Sequence, residues 1–223
     1  MENGERAEFA KLAHALGHEM LTPLSGLTML LASMRSGECS DPSRDEKLQQ
    51  ARQATERLTR LVRAFVDYVD AAVCRPPQRV DTRTLVDEVL VAGGAGVVVE
   101  GDLPTVCGDR GGLRRVLASL LDNAKRYAEG TAPLIEVAAR RDGHAWRFEV
   151  RDRGSGIDEA LRARLFTPLV RGRGHDQVSG SGLSLATCAR IVACHGGRIG
   201  LDPRPGGGTI AWFTVPDAGP TNG

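Results

Sequence analysis

Apolar residues recur at spacings of three and four over residues 5–34, where Leu12, Leu16, Met20, Leu24, Leu27, Leu31 and Met34 mark one face of a helix. The polar run Ser36-Gly37-Glu38-Cys39-Ser40 breaks that pattern. Asp41 followed by Pro42 then reads as an N-cap with proline in the first turn, so a second helix is expected to start there. It carries Leu48, Ala51, Thr55, Leu58, Val62, Phe65 and Val69, alternately three and four apart, a coiled-coil-like seam. Two antiparallel helices alone bury little apolar surface, so the hairpin is expected to pair with a second copy as a four-helix bundle.

After Arg75-Pro76-Pro77-Gln78 the period changes. Two prolines end the helix and force an extended segment. Helical spacing returns over 82–91, 111–128 and 184–195, and short strands are expected at 97–100, 105–107, 134–140, 145–152, 198–201 and 209–215. Alternation such as Trp146-Arg147-Phe148-Glu149-Val150 suits a mixed sheet with one buried face, covered by helices in an α+β two-layer sandwich. The expected organisation is a helical hairpin over 1–74, a linker over 75–80, an α+β domain over 81–217 and a disordered tail over 218–223.

Composition narrows the function without naming it. The 223 residues are 41% hydrophobic and 26% charged, ordinary for a globular protein. A net charge of +1 gives no electrostatic case for nucleic acid or an anionic membrane. No apolar run approaches the roughly 18 residues of a membrane-spanning helix, and the polar N-terminus has no signal-peptide core. Direct membrane insertion is therefore not expected. Cys39, Cys74, Cys107, Cys188 and Cys194 are an odd set without C-x-x-C spacing, which reads as reduced thiols in a cytoplasmic protein. Cys194-His195 lacks a second pair of ligands and is a poor metal site.

Candidate chemistry gathers in a few polar pieces. On the first helix, His18 has Glu19 beside it, Thr22 one turn on, and Pro23, whose missing N–H is expected to kink or loosen the helix. Taken alone, this half favours a plain hairpin carrying a chance histidine. In the second half, Asn123 lies among apolar neighbours, where an amide is costly to bury unless it binds something; its oxygen suits Mg²⁺, and Arg126 could reach phosphate. Asp152-Arg153-Gly154-Ser155-Gly156-Ile157 follows a strand, so Asp152 could accept a hydrogen bond from an exocyclic amine while the glycines admit a flat base. Gly180-Ser181-Gly182-Leu183 precedes a helix and offers amides to phosphate. Between them, 167–179 reads as a lid.

In this order, these pieces resemble the transmitter core of a two-component sensor histidine kinase. His18-Glu19-Met20-Leu21-Thr22-Pro23-Leu24 looks like the phosphoacceptor box, Asp122-Asn123-Ala124-Lys125-Arg126-Tyr127 the asparagine box and Asp152 to Ile157 the first glycine box. Leu165-Phe166-Thr167-Pro168 resembles the phenylalanine box, Gly180 to Leu183 the second glycine box, and His195-Gly196-Gly197 and Gly207-Gly208-Thr209 the closing turns. The resemblance, over about residues 8–216, implies a homodimeric phosphotransfer hairpin joined to a Bergerat-type (GHKL) ATP-binding domain. It implies autophosphorylation of His18 by ATP and Mg²⁺, then transfer to an aspartate on a response-regulator receiver domain. It makes Glu19 the base and Thr22 the group that positions water for phosphatase activity. Asn123 becomes the Mg²⁺ ligand, and Arg126, Tyr127, Asp152, Gly154, Gly156, Gly180, Gly182, Leu183 and Thr209 the nucleotide-binding set. Departures fall at supporting positions: Leu21 for an arginine, Ser119 for an asparagine, Leu169 for a second phenylalanine and Ser184 for a glycine. Two other readings use only part of these pieces: a histidine phosphotransferase of this fold that relays phosphate through His18 without binding ATP, and an ATPase or serine kinase of the same superfamily, which would not need the stretch from His18 to Pro23.

Overall fold

The computed structural model describes residues 2–35, 41–91, 96–127, 135–171 and 181–217. The chain divides into two compact units, Met1–Asp67 and Tyr68–Gly223.

Helices α1 (Glu2–Arg35) and α2 (Asp41–Asp70) supply the first unit. Leu12 and Leu16, from the expected face of α1, are buried, and on α2 the buried residue is Leu61, one position before the expected seam residue Val62. Glu19 and Arg57 form an ion pair at 3.6 Å and stand equally far from the inner ends of their helices, which is the geometry of an antiparallel hairpin. Five seam residues are uncovered within one chain: Leu24, Leu31, Leu48, Val62 and Val69 are all more than 40% exposed. Helix α1 runs through Pro23 without interruption. The expected weak point is thus confined to the missing N–H at Pro23, which leaves the Glu19 carbonyl without its helical donor.

The second unit holds β1 (Gln78–Asp81), α3 (Thr82–Val91), β2 (Val97–Glu100), β3 (Thr105–Gly108), α4 (Arg110–Tyr127), β4 (Ile135–Asp142), β5 (Ala145–Arg151), α5 (Glu159–Arg162), a 3₁₀ turn (Ala163–Phe166), α6 (Ser184–Cys194), β6 (Ile199–Pro203) and β7 (Thr209–Pro216). Five strands form a mixed sheet in the order β2-β4-β5-β7-β6, parallel only between β2 and β4. Period-two alternation puts Val137, Phe148, Val150, Phe213 and Val215 on one face. Leu113, Val116, Leu117, Leu120 and Leu121 of α4 and Cys188, Ile191 and Val192 of α6 complete that core. Phe148 and Phe213, direct register partners, stack with centroids 5.0 Å apart.

The opposite face is polar, as the alternation predicts, but closed by ion pairs. Glu149, buried there, accepts from Arg140 and Arg147 at 2.8 Å and from Arg151 at 2.9 Å. Burial alone would raise its carboxyl, yet hydrogen bonds from Arg151 and Arg140 hold it below the ordinary range.

Strand β1 occupies part of the stretch read as linker, pairing antiparallel with β3 in a separate two-stranded sheet. Its last residue, Asp81, accepts from the Arg83 N–H at 2.9 Å and from the Thr84 hydroxyl at 2.9 Å, which caps α3. The thiols need a correction. Cys74 and Cys194 are joined in a disulfide, not reduced. Their 120-residue separation hid the pair from any local spacing rule, and the fold brings the turn after α2 against the last residue of α6. Cys107 and Cys188 are free, and Cys39 lies outside the described residues. Burial pushes the Cys188 thiol up to about 11, which suits its role as apolar filler.

Candidate functional site

A cleft of about 450 Å³ opens in the second unit beside α4, between the end of β5 and the start of α6. Helix α4 contributes Leu120, Asn123, Ala124, Arg126 and Tyr127, which lie three or four apart on one helix face or at its end. Asn123 is half-buried, and no described residue hydrogen-bonds its side-chain amide. A neutral hard oxygen presented this way fits a Mg²⁺ ligand.

Asp152 sits just beyond β5 and is 6% exposed. Its Oδ1 accepts from the Gly154 N–H at 2.8 Å and the Thr209 N–H at 3.2 Å. Among the described residues no hydrogen bond falls on Oδ2, so that oxygen remains for a ligand. Burial raises the Asp152 carboxyl above its ordinary value; the two amides and Arg204 offset only part of that effect.

Two glycines have specific reasons. A Cβ at Gly154 would stand 2.2 Å from the Tyr127 carbonyl oxygen, so only glycine lets the turn after β5 close on the end of α4. Gly182 has φ +69°, and a Cβ there would meet the Leu169 backbone at 2.9 Å. Leu169 itself has φ 65° and donates its N–H to the Gly182 carbonyl at 2.9 Å. This crossing holds the segment after the 3₁₀ turn against the entrance to α6.

The expected residues do not all meet. Asn123, Arg126, Tyr127, Asp152, Gly156, Gly182 and Thr209 line this one cleft. Gly154 shapes it from behind. Leu183 is fully buried instead; its carbonyl accepts from the Thr187 N–H and hydroxyl at 2.8 Å, so it closes the first turn of α6. Gly180 lies outside the described residues. His18, Glu19 and Thr22 belong to the first unit, where His18 is exposed and the Thr22 hydroxyl donates to the His18 carbonyl at 3.1 Å. The apolar wall of the cleft includes Ile157, Leu161, Leu165, Leu201 and Ala211, which come from separate elements and loops, so no local pattern marks it as one surface. His195 is no metal ligand: its Nε2 accepts from the Asp109 N–H at 2.8 Å, and Nδ1 lies 2.7 Å from the Ile191 carbonyl.

Two family models match the chain in the order of its units. Residues 10–71 match the His Kinase A (phospho-acceptor) domain, and residues 108–219, half the chain, match the histidine kinase-, DNA gyrase B-, and HSP90-like ATPase. The chain belongs to the sensor histidine kinase family. Among curated members, cyanobacterial phytochrome A of Nostoc sp. is 29% identical over 223 residues, with 96% of this chain and 29% of the phytochrome covered. The adaptive-response sensory kinase SasA of Parasynechococcus marenigrum is 31% identical, covering 92% of this chain and 56% of SasA. This histidine kinase core therefore spans less than a third of that phytochrome and about half of SasA. Among solved structures, full-length ShkA in complex with AMPPNP matches at a TM-score of 0.63 and 27% identity, over 93% of this chain and 45% of ShkA. The histidine kinase ThkA with the response regulator TrrA matches at 0.76 and 19% identity over 97% of this chain and 64% of that one, a likeness of fold. No described helix is long and apolar enough to cross a membrane.

Proposed function

We propose that this chain binds ATP in the α4–α6 cleft, phosphorylates its own His18, and passes the phosphoryl group to an aspartate of a response-regulator receiver domain. The observation that carries this reading is the convergence of Asn123, Asp152, Gly182 and Thr209 on one cleft, in a chain that also presents an exposed His18 beside a carboxylate. Oδ2 of Asp152 would accept a hydrogen bond from the adenine amine, and the apolar wall would take the base. Arg126 meets phosphate oxygens, and Gly182 lets backbone approach them. Mg²⁺, when bound at Asn123, offsets charge on the phosphates.

One ring nitrogen of His18 attacks the γ-phosphorus, the bond to ADP breaks, and the proton on the other nitrogen moves toward Glu19. Arg57, 3.6 Å from Glu19, orients that carboxylate. Thr22, one turn from His18, positions water for the reverse duty of dephosphorylating the regulator; its hydroxyl must first leave the His18 carbonyl. The uncovered Leu24, Leu31, Leu48, Val62 and Val69 support pairing of the hairpin with a second copy.

Calorimetry with AMPPNP and Mg²⁺ tests the nucleotide half of this reading. Saturable binding is expected, and Asp152→Asn is expected to weaken it by about 10- to 150-fold, the loss of one hydrogen bond to a charged group. The pH dependence has a definite sign. Protonation removes the carboxylate that receives the amine, so affinity falls as pH drops through the raised Asp152 pKa, and the fall begins above the usual carboxyl range. The carboxamide introduced by Asp152→Asn does not titrate, so that variant's profile is flat there. A wild-type chain that binds no nucleotide would instead fit the phosphate-relay reading.

A further inference from the structure

We propose that Cys74 and Cys194 form a thiol–disulfide exchange site, open to dithiol reductants, that clamps or frees the segment by which α2 enters the nucleotide-binding unit. Cys74 is exposed in the turn that follows α2, whereas Cys194 is the half-buried last residue of α6. An exposed sulfur is the kind a thiolate can attack, so this disulfide belongs among the labile ones. Beside it lies a second cleft of about 310 Å³, lined by Cys194 together with Ala71, Val73 and Arg75, which gives a small reductant room to approach. The buried Cys188 cannot play this part.

The bond closes on a segment already docked at both ends. Ala71 is 6% exposed within the core of the second unit, and the Arg190 guanidinium lies 4.4 Å from the Tyr68 ring centroid. Downstream, Gln78 opens β1 and is held by β3. Residues 72–77 between these anchors lie inside the second unit, a few residues past its boundary after Asp67. With the disulfide intact, Cys74 is fastened to α6 in the middle of that segment. Reduction leaves the segment on the Ala71 contact, the Arg190–Tyr68 stack, the Arg75–Asp70 ion pair and the β1–β3 pairing. In the exchange, one thiolate of the reductant bonds to a protein sulfur as the Cys74–Cys194 bond breaks, and its second thiol resolves the mixed disulfide. Two electrons pass to the protein, two protons end on Cys74 and Cys194, and the reductant leaves as its own disulfide. The oxidised chain is the restrained one. Resting on the histidine kinase reading above, this makes autophosphorylation faster after reduction.

The test compares oxidised wild type, wild type reduced with dithiothreitol, and the Cys74→Ser and Cys194→Ser variants. Hydrogen exchange of residues 68–77 is expected to be about tenfold or more faster in the reduced protein and both variants than in the oxidised protein. Exchange in β5 and β7 should stay equal in all four. Phosphorylation of His18 from ATP is expected to rise about threefold or more in parallel, with both variants blind to dithiothreitol. Because reduction acts on the unmutated chain, no variant has to fold for the first comparison to decide. Peptide mapping that finds no Cys74–Cys194 bond after oxidation overturns the proposal, as does equal exchange in oxidised and reduced protein. Exchange that responds without any phosphorylation in any form leaves the clamp standing and removes the kinase reading. Phosphorylation at one rate in both redox states removes the regulatory inference alone.

Discussion

Replacing His18 with glutamine is expected to abolish incorporation of the labelled γ-phosphate of ATP, while AMPPNP affinity stays at the wild-type value. The two readouts separate because His18 belongs to the helical unit and the cleft to the other. Glutamine keeps much of the bulk at an exposed helix position, so the hairpin is not expected to suffer; circular dichroism checks this. What disappears is the nucleophile, since an amide nitrogen has no lone pair to offer phosphorus. A second imidazole makes the experiment sharper. His14 lies one turn away, its ring centroid 4.9 Å from that of His18 in an edge-to-face arrangement. It has no carboxylate following it, because position 15 is alanine, whereas His18 is followed by Glu19. His14→Gln should therefore keep most of the labelling, and Glu19→Gln should lose about 10²- to 10⁴-fold, the usual worth of a positioned acid–base group.

Replacing Asn123 with alanine is expected to suppress labelling as completely, for a different reason. The amide lines the cleft, and no described residue hydrogen-bonds it, so its removal costs the fold little. Its removal takes a hard oxygen from the place where phosphate charge gathers. The diagnostic readout is therefore nucleotide affinity with and without the cation. Wild type should bind ATP more weakly when EDTA removes Mg²⁺, while Asn123→Ala should bind at one low affinity in both conditions. An unchanged response to EDTA in the variant would refute the metal role of Asn123. Size-exclusion chromatography should show the same oligomer for both proteins, because the uncovered Leu24, Leu31, Leu48 and Val62 lie in the other unit.

The hydrophobic period was enough to locate both hairpin helices, α3, α4, α6 and most strands, because each buries one face at a spacing that survives in the sequence. Asn123 stood out as a polar amide on a helix whose nearby Leu120, Leu121 and Ala124 are apolar. Features made by distant residues were invisible. The Glu149 cluster draws arginines from two strands, and β1 is too short to show a period. The disulfide joins residues 120 apart. Gly154 could be read as a turn glycine, but the need for it comes from the Tyr127 carbonyl, which only the fold brings near. Leu183 stands inside a glycine-rich motif, yet its side chain is buried at the first turn of α6 rather than lining the cleft. At Leu169, the resemblance marked only a leucine where the family has a phenylalanine; its left-handed backbone is set by the crossing with Gly182.

The central claim is that the γ-phosphoryl group of ATP comes to rest on His18. Incubation of the purified chain with ATP and Mg²⁺, followed by peptide mapping under alkaline conditions that preserve phosphohistidine, tests it most directly. A single phosphorylated peptide spanning residue 18 is expected, with the modification on the His18 ring. A phosphoryl group on a serine, on a threonine or on His14, or a chain that binds nucleotide yet carries no phosphate at all, would contradict it.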